Sequence, residues 1–546
     1  MKAFVSAAGP GVATQLPAWT GERPVMSDLL NKLADVTGLE RQMRELTPAQ
    51  LTYDEEAIRQ ARAGCATARA ELSAELCAAL SAEALSRGRS LLDQRLQTLR
   101  QRKGTQRSQL NLLRHLKGWA ITTHAVRQLK PDAKLFDLVV IDEASQCSIA
   151  SVLPLLFRAR RALIIGDPMQ LSHIPGISPE QERQARVRAE LSAAWLEDRR
   201  LAYHVHSSYH AAAQNGEAAL LLDEHYRCHP EIADVVNGHC YSGALEIMTD
   251  VRGQVPAVDL MDTGETAPVL AWANVPSSES AQGPGGKSWH NPSEAAAVAG
   301  IVRELLHHLP RTATVGVVTP FRAQKDALER MVGSDRVRVG TVHAFQGGQR
   351  DVMVLSPVAT ANTPPRTAHW VASQVNLWNV AITRAKSQLI TVGNHGYWQQ
   401  QTGLPHLLSS RSVLWNRARA VGPHQAPMPE PGPRQDPDRR DLTDTLQQFL
   451  ASRGIVELER DAIIGGQRID LLFTAPEGNT AVLVDAGPLP GRDPARHLRL
   501  MHQRTDLLIG LPSGGRGAKA GSVERVLRVP AWRILAGPNV LAPLFD

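Results

Sequence analysis

No CxxC pair occurs anywhere in this chain of 546 residues. Its five cysteines, Cys65, Cys77, Cys147, Cys228 and Cys240, are scattered, which argues against a disulfide framework and against a zinc ribbon. No apolar run approaches the ~18 residues that a membrane span needs. The amino terminus, MKAFVSAAGPGVA, has one Lys and a short apolar patch, and Gly and Pro break it before a signal-peptide core could form. A reduced, cytoplasmic protein without membrane contact is expected. Aromatic residues are only 4% of the chain, so no base-stacking platform can be placed from sequence.

What is present suits a folded, multidomain protein. Hydrophobic residues are 43% and charged residues 21%, and the length suggests about three or four domains. The formal charge of +6 is compatible with nucleic acid without demanding it. Residues 1–25 are rich in Gly and Pro and are expected to be irregular. From about Ser27 to Leu116 the chain is rich in Ala, Leu, Glu and Arg, with Leu92, Leu96 and Leu99 spaced for one helix face. A helical arm within 1–118 follows.

From Phe136 to Ile174 the pattern is strand, loop, helix, strand, loop. Residues 175–215 show no strong period. Asn291-Pro292-Ser293-Glu294 opens a helix, with Asn291 as cap, Pro292 in the first turn and Glu294 placed for a capping box. Strand-like runs follow at 314–319, 337–342, 352–355 and 389–392. Strands alternating with helices predict a parallel, doubly wound α/β sheet. Residues 422–440 are a Pro-rich linker, and 441–546 form a small last domain.

Two strand ends carry the chemistry. Leu138-Val139-Val140-Ile141 stops at Asp142-Glu143, and Ala162 to Ile165 stops at Gly166-Asp167-Pro168-Met169-Gln170. Open parallel sheets bind ligands at the carboxyl ends of their strands. A carboxylate there suits Mg²⁺ on nucleotide phosphates, and its neighbour can orient water.

IDEASQ (141–146) and GDPMQL (166–171) are followed in order by EHYRCHPEI (224–232), TPFRAQ (319–324), GTVHAFQG (340–347) and NVAITRAK (379–386). This series resembles the superfamily 1 DNA/RNA helicases, AAA-type proteins, in the branch that includes the nonsense-mediated-decay helicase. The resemblance implies two RecA-like domains, at 119–215 (incomplete) and 216–421, with ATP and Mg²⁺ between them. It implies that Asp142 holds Mg²⁺, Glu143 activates water and Gln170 senses the γ-phosphate. Arg227 and Arg384 would reach that phosphate from the second domain, and Gly347 and Gln349 would lie at the nucleotide. Nucleic acid, with DNA favoured over RNA, would meet Thr122, Thr123 and His124 in the first domain and Thr341 and His343 in the second.

The chain departs from that family in two places. Gln349 stands where a Glu is usual. The phosphate-cradling GxxxxGK(S/T) loop is missing, and GPGGKS at 283–288 is no substitute, because Ala281 stands where its first Gly should be. The expectation is the carboxyl-terminal part of a larger helicase, whether through a misassigned start codon, a gene split by a frameshift, or an N-terminal part supplied as another polypeptide. The alternative is a catalytically incomplete remnant that binds nucleic acid or a partner.

His204, His206 and His210 read as a solvated loop rather than a metal site, since no carboxylate partner is evident. The same holds for His225, Cys228, His229 and Cys240, which the helicase motif accounts for. The last domain places Asp470 and Asp485 on two strands of a hairpin with a Pro-Glu-Gly-Asn turn, followed by a basic helix. This order resembles small restriction-endonuclease-like domains, in which such acids bind Mg²⁺. Leu483 and Ala486-Gly487 replace an expected acid and Lys, so a degenerate version is expected.

Overall fold

A computed structural model describes Gly38 and residues 55–100, 118–129, 131–214, 220–260, 267–277, 279–283, 286, 288–415, 437–488, 492–513 and 521–545. These fall into two compact units, one within 1–140 and 150–163, the other within 141–149 and 164–546.

In the first unit, α1 (Glu55–Arg100) is one helix of 46 residues. Of the Leu92, Leu96 and Leu99 face, Leu92 is half-buried, Leu96 is exposed and the side chain of Leu99 lies outside the described residues. Buried and half-buried positions nonetheless recur three or four apart along α1, at Ile58, Arg62, Cys65, Ala68, Leu72 and Glu75, so one face of the helix is shielded; Leu92 continues that face and Leu96 does not. The ends of the arm, before 55 and after 100, also lie outside the described residues apart from Gly38. Farther on come β1 (Phe136–Ile141), α2 (Ile149–Phe157) and β2 (Ala159–Ile164), in the expected order. β1 and β2 form a two-stranded sheet, and Leu138, Val140 and Leu163 stay exposed on it.

The second unit is built on six parallel strands. They are β5 (Leu270–Asn274), β8 (Val315–Thr319), β9 (Val337–Thr341), β10 (Arg350–Leu355), β11 (Ala385–Gly393) and β12 (Val413–Trp415), in the order β12-β5-β11-β10-β8-β9. The short pairs β3 (Glu224–His225) with β4 (Glu246–Ile247) and β6 (Ala281–Gln282) with β7 (Trp289–His290) lie outside this sheet. The helices that matter here are α3 (Pro179–Arg188), α4 (Pro230–Cys240), α5 (Pro292–His308), α6 (Arg322–Val332), α7 (Pro365–Ser373), α8 (Val375–Thr383) and α9 (Leu404–Arg411).

Both faces of the six-stranded sheet are covered, which is why its strands read as unbroken apolar runs. Met353, Leu355 and Leu389 join Ile232, Val236 and Trp378 in one core. Val352, Val354 and Ile390 join Val298, Ile301 and Leu305 in the other. The four strand runs expected from sequence match β8, β9, β10 and β11. β5 and β12 escaped notice because each is short and stands apart from the motif series.

Helix α3 begins in the stretch that showed no period. Ser178 accepts from the Gln181 N–H and the Gln181 side chain accepts from the Ser178 N–H, with Pro179 at the first position. That Ser-Pro-Glu-Gln signal was legible and was passed over.

A last sheet, β13-β14-β15-β17-β16, is mixed. Its strands are β13 (Leu458–Ile464), β14 (Gln467–Ala475), β15 (Gly478–Asp485), β16 (Pro512–Ser513) and β17 (Gly521–Pro530), packed with α10 (Pro437–Ser452) and α11 (Pro494–Leu508). β14 and β15 are the expected hairpin. The linker expected over 422–440 is shorter at its far end, since α10 starts at Pro437, a residue suited to a first helical turn. The rest of that linker lies outside the described residues.

The capping box expected at α5 forms only half. Asn291 accepts from the Glu294 N–H at 3.0 Å, but the Glu294 carboxyl turns inward. It accepts from Ser356 Oγ at 2.7 Å and from the Val358 N–H at 2.9 Å. Val358 has φ 72°, a costly conformation for a β-branched residue, which this carboxyl braces. Glu294 is fully buried, and burial pushes its pKa up to about 8. Because the folded pKa lies above the ordinary 4.5, the folded state holds the extra proton between those values. Stability from this group is therefore full below pH about 4.5 and is lost as pH rises toward 8. Urea unfolding at several pH values should show this decline, and Glu294→Gln should flatten it while keeping the fold.

Candidate functional site

The acids at the end of β1 sit in a tight turn. Glu143 has φ 52° and donates its N–H to Asp142 Oδ1 at 2.9 Å. Gln146 Nε2 donates to Glu143 Oε2 at 2.7 Å, and Asp142 is exposed. An exposed carboxylate at a strand end fits Mg²⁺, which keeps most of its waters and takes one or two protein oxygens.

The second strand end lies beside the first. Ile165 N–H donates to Ile141 O, and Ala144 N–H donates to Ile165 O, both at 2.8 Å. A Cβ on Gly166 would fall 3.0 Å from Ser145 N, so the approach requires Gly there. These contacts group 141–149 and 164–215 with the second unit. The domain expected over 119–215 is thus divided, with 118–140 and 150–163 in the first unit.

Asp167 is a hub that the sequence did not reveal. It accepts from Met169 N–H at 2.9 Å, Gln170 Nε2 at 2.9 Å and Tyr241 Oη at 2.7 Å. Asn379 Nδ2 donates to Met169 O at 2.8 Å and to Tyr241 Oη at 2.9 Å, and Asn376 Nδ2 donates to Gln170 O at 2.6 Å. Asn376 and Asn379 are three apart on α8 and so share a face, which was the available signal. Burial and the Asp167 charge push the Tyr241 phenol up, which keeps its proton available as a donor. The amide of Gln170, expected to sense phosphate, is engaged with Asp167 here.

Arg384, at the end of α8, is 2% exposed. Its Nε donates to Val380 O and its Nη1 to Gly348 O, both at 3.2 Å. The carbonyl of Gly348 is presented by the turn at Gly347, whose φ of 70° suits Gly. Burial, and after it the Arg227 charge, lower the Arg384 pKa, while Glu143 works the other way. Arg227 is exposed, and its segment is tied down on both sides: Cys228 N–H donates to His225 Nε2 at 2.9 Å, and His229 N–H to Lys386 O at 2.6 Å. Glu143, Arg227 and Arg384 are thus brought into one electrostatic neighbourhood.

Thr341 is half-buried at the end of β9, His343 is exposed just beyond it, and Gln349 is exposed at the start of β10. Thr122, Thr123 and His124 belong to the first unit, where Thr122 and His124 are exposed and Thr123 is half-buried. Lys287 and two neighbours in GPGGKS lie outside the described residues.

Two histidine readings change. His206 lies 3.1 Å from Glu197 and His204 lies 3.5 Å from Glu182, so carboxylate partners do exist. Each His has its own acid and they do not converge; among the described residues no group of three or more His, Cys, Asp or Glu could hold a metal. Burial drives His225 and His229 down to about 4, so both stay neutral at pH 7.

The last sheet corrects the metal reading of Asp470 and Asp485. Arg439 binds Asp470 through two parallel hydrogen bonds of 2.9 and 2.7 Å, and Val484 N–H adds a third at 2.8 Å. Asp485 pairs with Arg528 and with His497 Nε2 at 2.6 Å. Arginine satisfies both acids, leaving neither free to ligate a cation.

The same domain grips the Arg227 segment. Arg496 pairs with Asp223 at 2.5 Å, Arg499 pairs with Glu224, and Gln467 Nε2 donates to Ile247 O at 2.8 Å. Burial opposes ionisation of Glu224, but Tyr226 and Arg499 hold its carboxyl below the ordinary value.

Family profiles described as AAA domains match residues 120–174 and 205–396. A 5'-3' DNA helicase, ZGRF1, of Mus musculus is 27% identical over 270 residues, covering 47% of this chain and 13% of that protein. An uncharacterized ATP-dependent helicase of Methanocaldococcus jannaschii is 29% identical over 276 residues, covering 48% and 37%. The ATP-dependent helicase upf1 of Schizosaccharomyces pombe is 27% identical over 283 residues, covering 48% and 28%. The chain therefore spans well under half the length of these relatives.

Asp470→Ala should cost on the order of 2–3 kcal/mol, because it strands Arg439 without its partner. A thermal melt should detect this, while Mg²⁺-dependent nicking of plasmid should be absent in parent and variant alike.

Proposed function

We propose, from the superfamily 1 helicase homology of residues 120–174 and 205–396, that this chain is the carboxyl-terminal portion of an ATP-dependent helicase or translocase. The observation that carries the reading is Arg384, a guanidinium buried at the end of α8 that feels both the Arg227 charge and the opposite charge of Glu143. Asp142 would hold Mg²⁺, which when bound offsets charge on the phosphates. Glu143 orients and deprotonates the attacking water. Arg227 and Arg384 stabilise charge on the transferring phosphoryl group. Gln170 leaves Asp167 to meet the γ-phosphate, and that exchange loosens or tightens the grip of Asn376 and Asn379. Gly347 and Gln349 stand at the nucleotide edge, where a neutral Gln weakens whatever a Glu would bind.

Nucleic acid, DNA before RNA, is held at Thr341 and His343 and at Thr122, Thr123 and His124 through phosphate contacts that carry no sequence information. The phosphate loop comes from a separate helicase part. The last sheet is a degenerate endonuclease-like domain that docks on the Arg227 segment. All five cysteines are free, which suits a reducing, cytoplasmic setting.

The second reading, an incomplete binding remnant, draws on Gln349 and on the engagement of Gln170 with Asp167. ATPase assays with single-stranded DNA separate the two. The chain alone should show little turnover. Adding a polypeptide that carries the phosphate loop should restore it, and Glu143→Gln should abolish the restored rate. No recovery on addition favours the remnant. Robust turnover by the chain alone, lost in Glu143→Gln, would overturn the need for an outside loop.

A further inference from the structure

A cleft of about 440 Å³ opens beyond the carboxyl end of β8, lined among others by Trp289, Phe321, Arg322, Arg366, Thr367 and Trp370. Its size is in the range of small-ligand sites. Three of these six residues are aromatic in a chain where aromatics are 4% of residues. Trp370 is 41% exposed, a large apolar ring facing solvent. Phe321 is 7% exposed and supports it, with ring centroids 5.8 Å apart. Trp289 is half-buried against the core and held by the β6–β7 pairing.

The charge around the cleft is of one sign. Arg322 and Arg366 are both exposed, and neither makes a hydrogen bond or ion pair among the described residues. Among the described residues, no carboxylate lines the cleft. Two helices also begin there, α6 after Phe321 and α7 after Pro364; Ser288 Oγ accepts from the Ala323 N–H of α6, and the positive ends of both helices add to the potential at the cleft.

The location is informative too. Thr319 and Thr341 are register partners at the ends of β8 and β9. The cleft therefore starts one residue past the neighbour of Thr341, beside the loop that carries His343.

We propose that this cleft is a base-stacking subsite for single-stranded nucleic acid, in which an unpaired base lies on Trp370 and the adjoining phosphates meet Arg322 and Arg366. Aromatic faces give affinity without choosing a base, and the arginines follow the backbone. The subsite rests on the nucleic-acid reading above and supplies the stacking platform that composition alone could not locate.

The test is fluorescence anisotropy with the full chain and a labelled oligothymidylate of about a dozen nucleotides. Trp370→Ala should weaken binding about 5- to 100-fold, and Trp370→Phe should recover most of it. Arg366→Ala should reduce the slope of log affinity against log salt by about 0.7, one phosphate contact. An abasic strand should bind the parent weakly and be insensitive to Trp370→Ala. If the parent binds and Trp370→Ala binds equally well, the subsite is wrong and the helicase reading stands. If Trp370→Ala weakens the abasic strand just as much, stacking is wrong. If the parent binds no single strand, both readings fall.

Discussion

Arg384 sets the problem that the second unit solves. Its guanidinium is buried and donates to two carbonyl oxygens, and a second guanidinium, Arg227, lies close enough to lower its pKa. Burying one cation beside another is expensive unless an anion joins them. Glu143 supplies part of that charge from the end of β1. In the proposed function a phosphate supplies the rest, and the surrounding contacts hold these groups in place. The turn at Gly347 presents a carbonyl, α8 positions the side chain, and Asn376 and Asn379 fasten the same helix to the Gly166–Gln170 loop. A nucleotide that changed the state of Gln170 would be felt along α8 at Arg384.

The carboxyl-terminal sheet extends this control. Its arginines fall into two sets with opposite tasks. Arg439 and Arg528 tie Asp470 and Asp485 into the sheet. Arg496 and Arg499 hold Asp223 and Glu224, just ahead of Arg227. The domain thereby braces the segment that carries Arg227.

Legibility in the sequence divided along physical lines. Long apolar runs buried on both faces announced β8, β9, β10 and β11, and the Asn-Pro-Ser-Glu start announced α5. The candidate site residues could be named because they sit in short segments of fixed order. What stayed hidden depends on contacts distant in sequence. Glu294 has the spacing of a capping-box acid, yet its carboxyl is spent on Ser356 and Val358, more than sixty residues on. Tyr241 finds Asp167, and the two Asn of α8 find the carbonyls of Met169 and Gln170, only in three dimensions. The Trp289, Phe321 and Trp370 cleft gathers residues from three separate elements. Asp470 and Asp485 had the right strands, and only the fold disclosed which arginines answer them.

The central claim is that Arg384 is held for an anion at some cost to the empty protein. The most direct measurement is the melting temperature of the full chain and of Arg384→Met, each with the polypeptide that carries the phosphate loop, with and without Mg²⁺ and ATP. A functional cation kept at the expense of stability should give a higher melting temperature for Arg384→Met in nucleotide-free buffer, and a nucleotide-induced rise in the parent alone. A variant that melts lower than the parent and still responds equally to nucleotide would contradict the account.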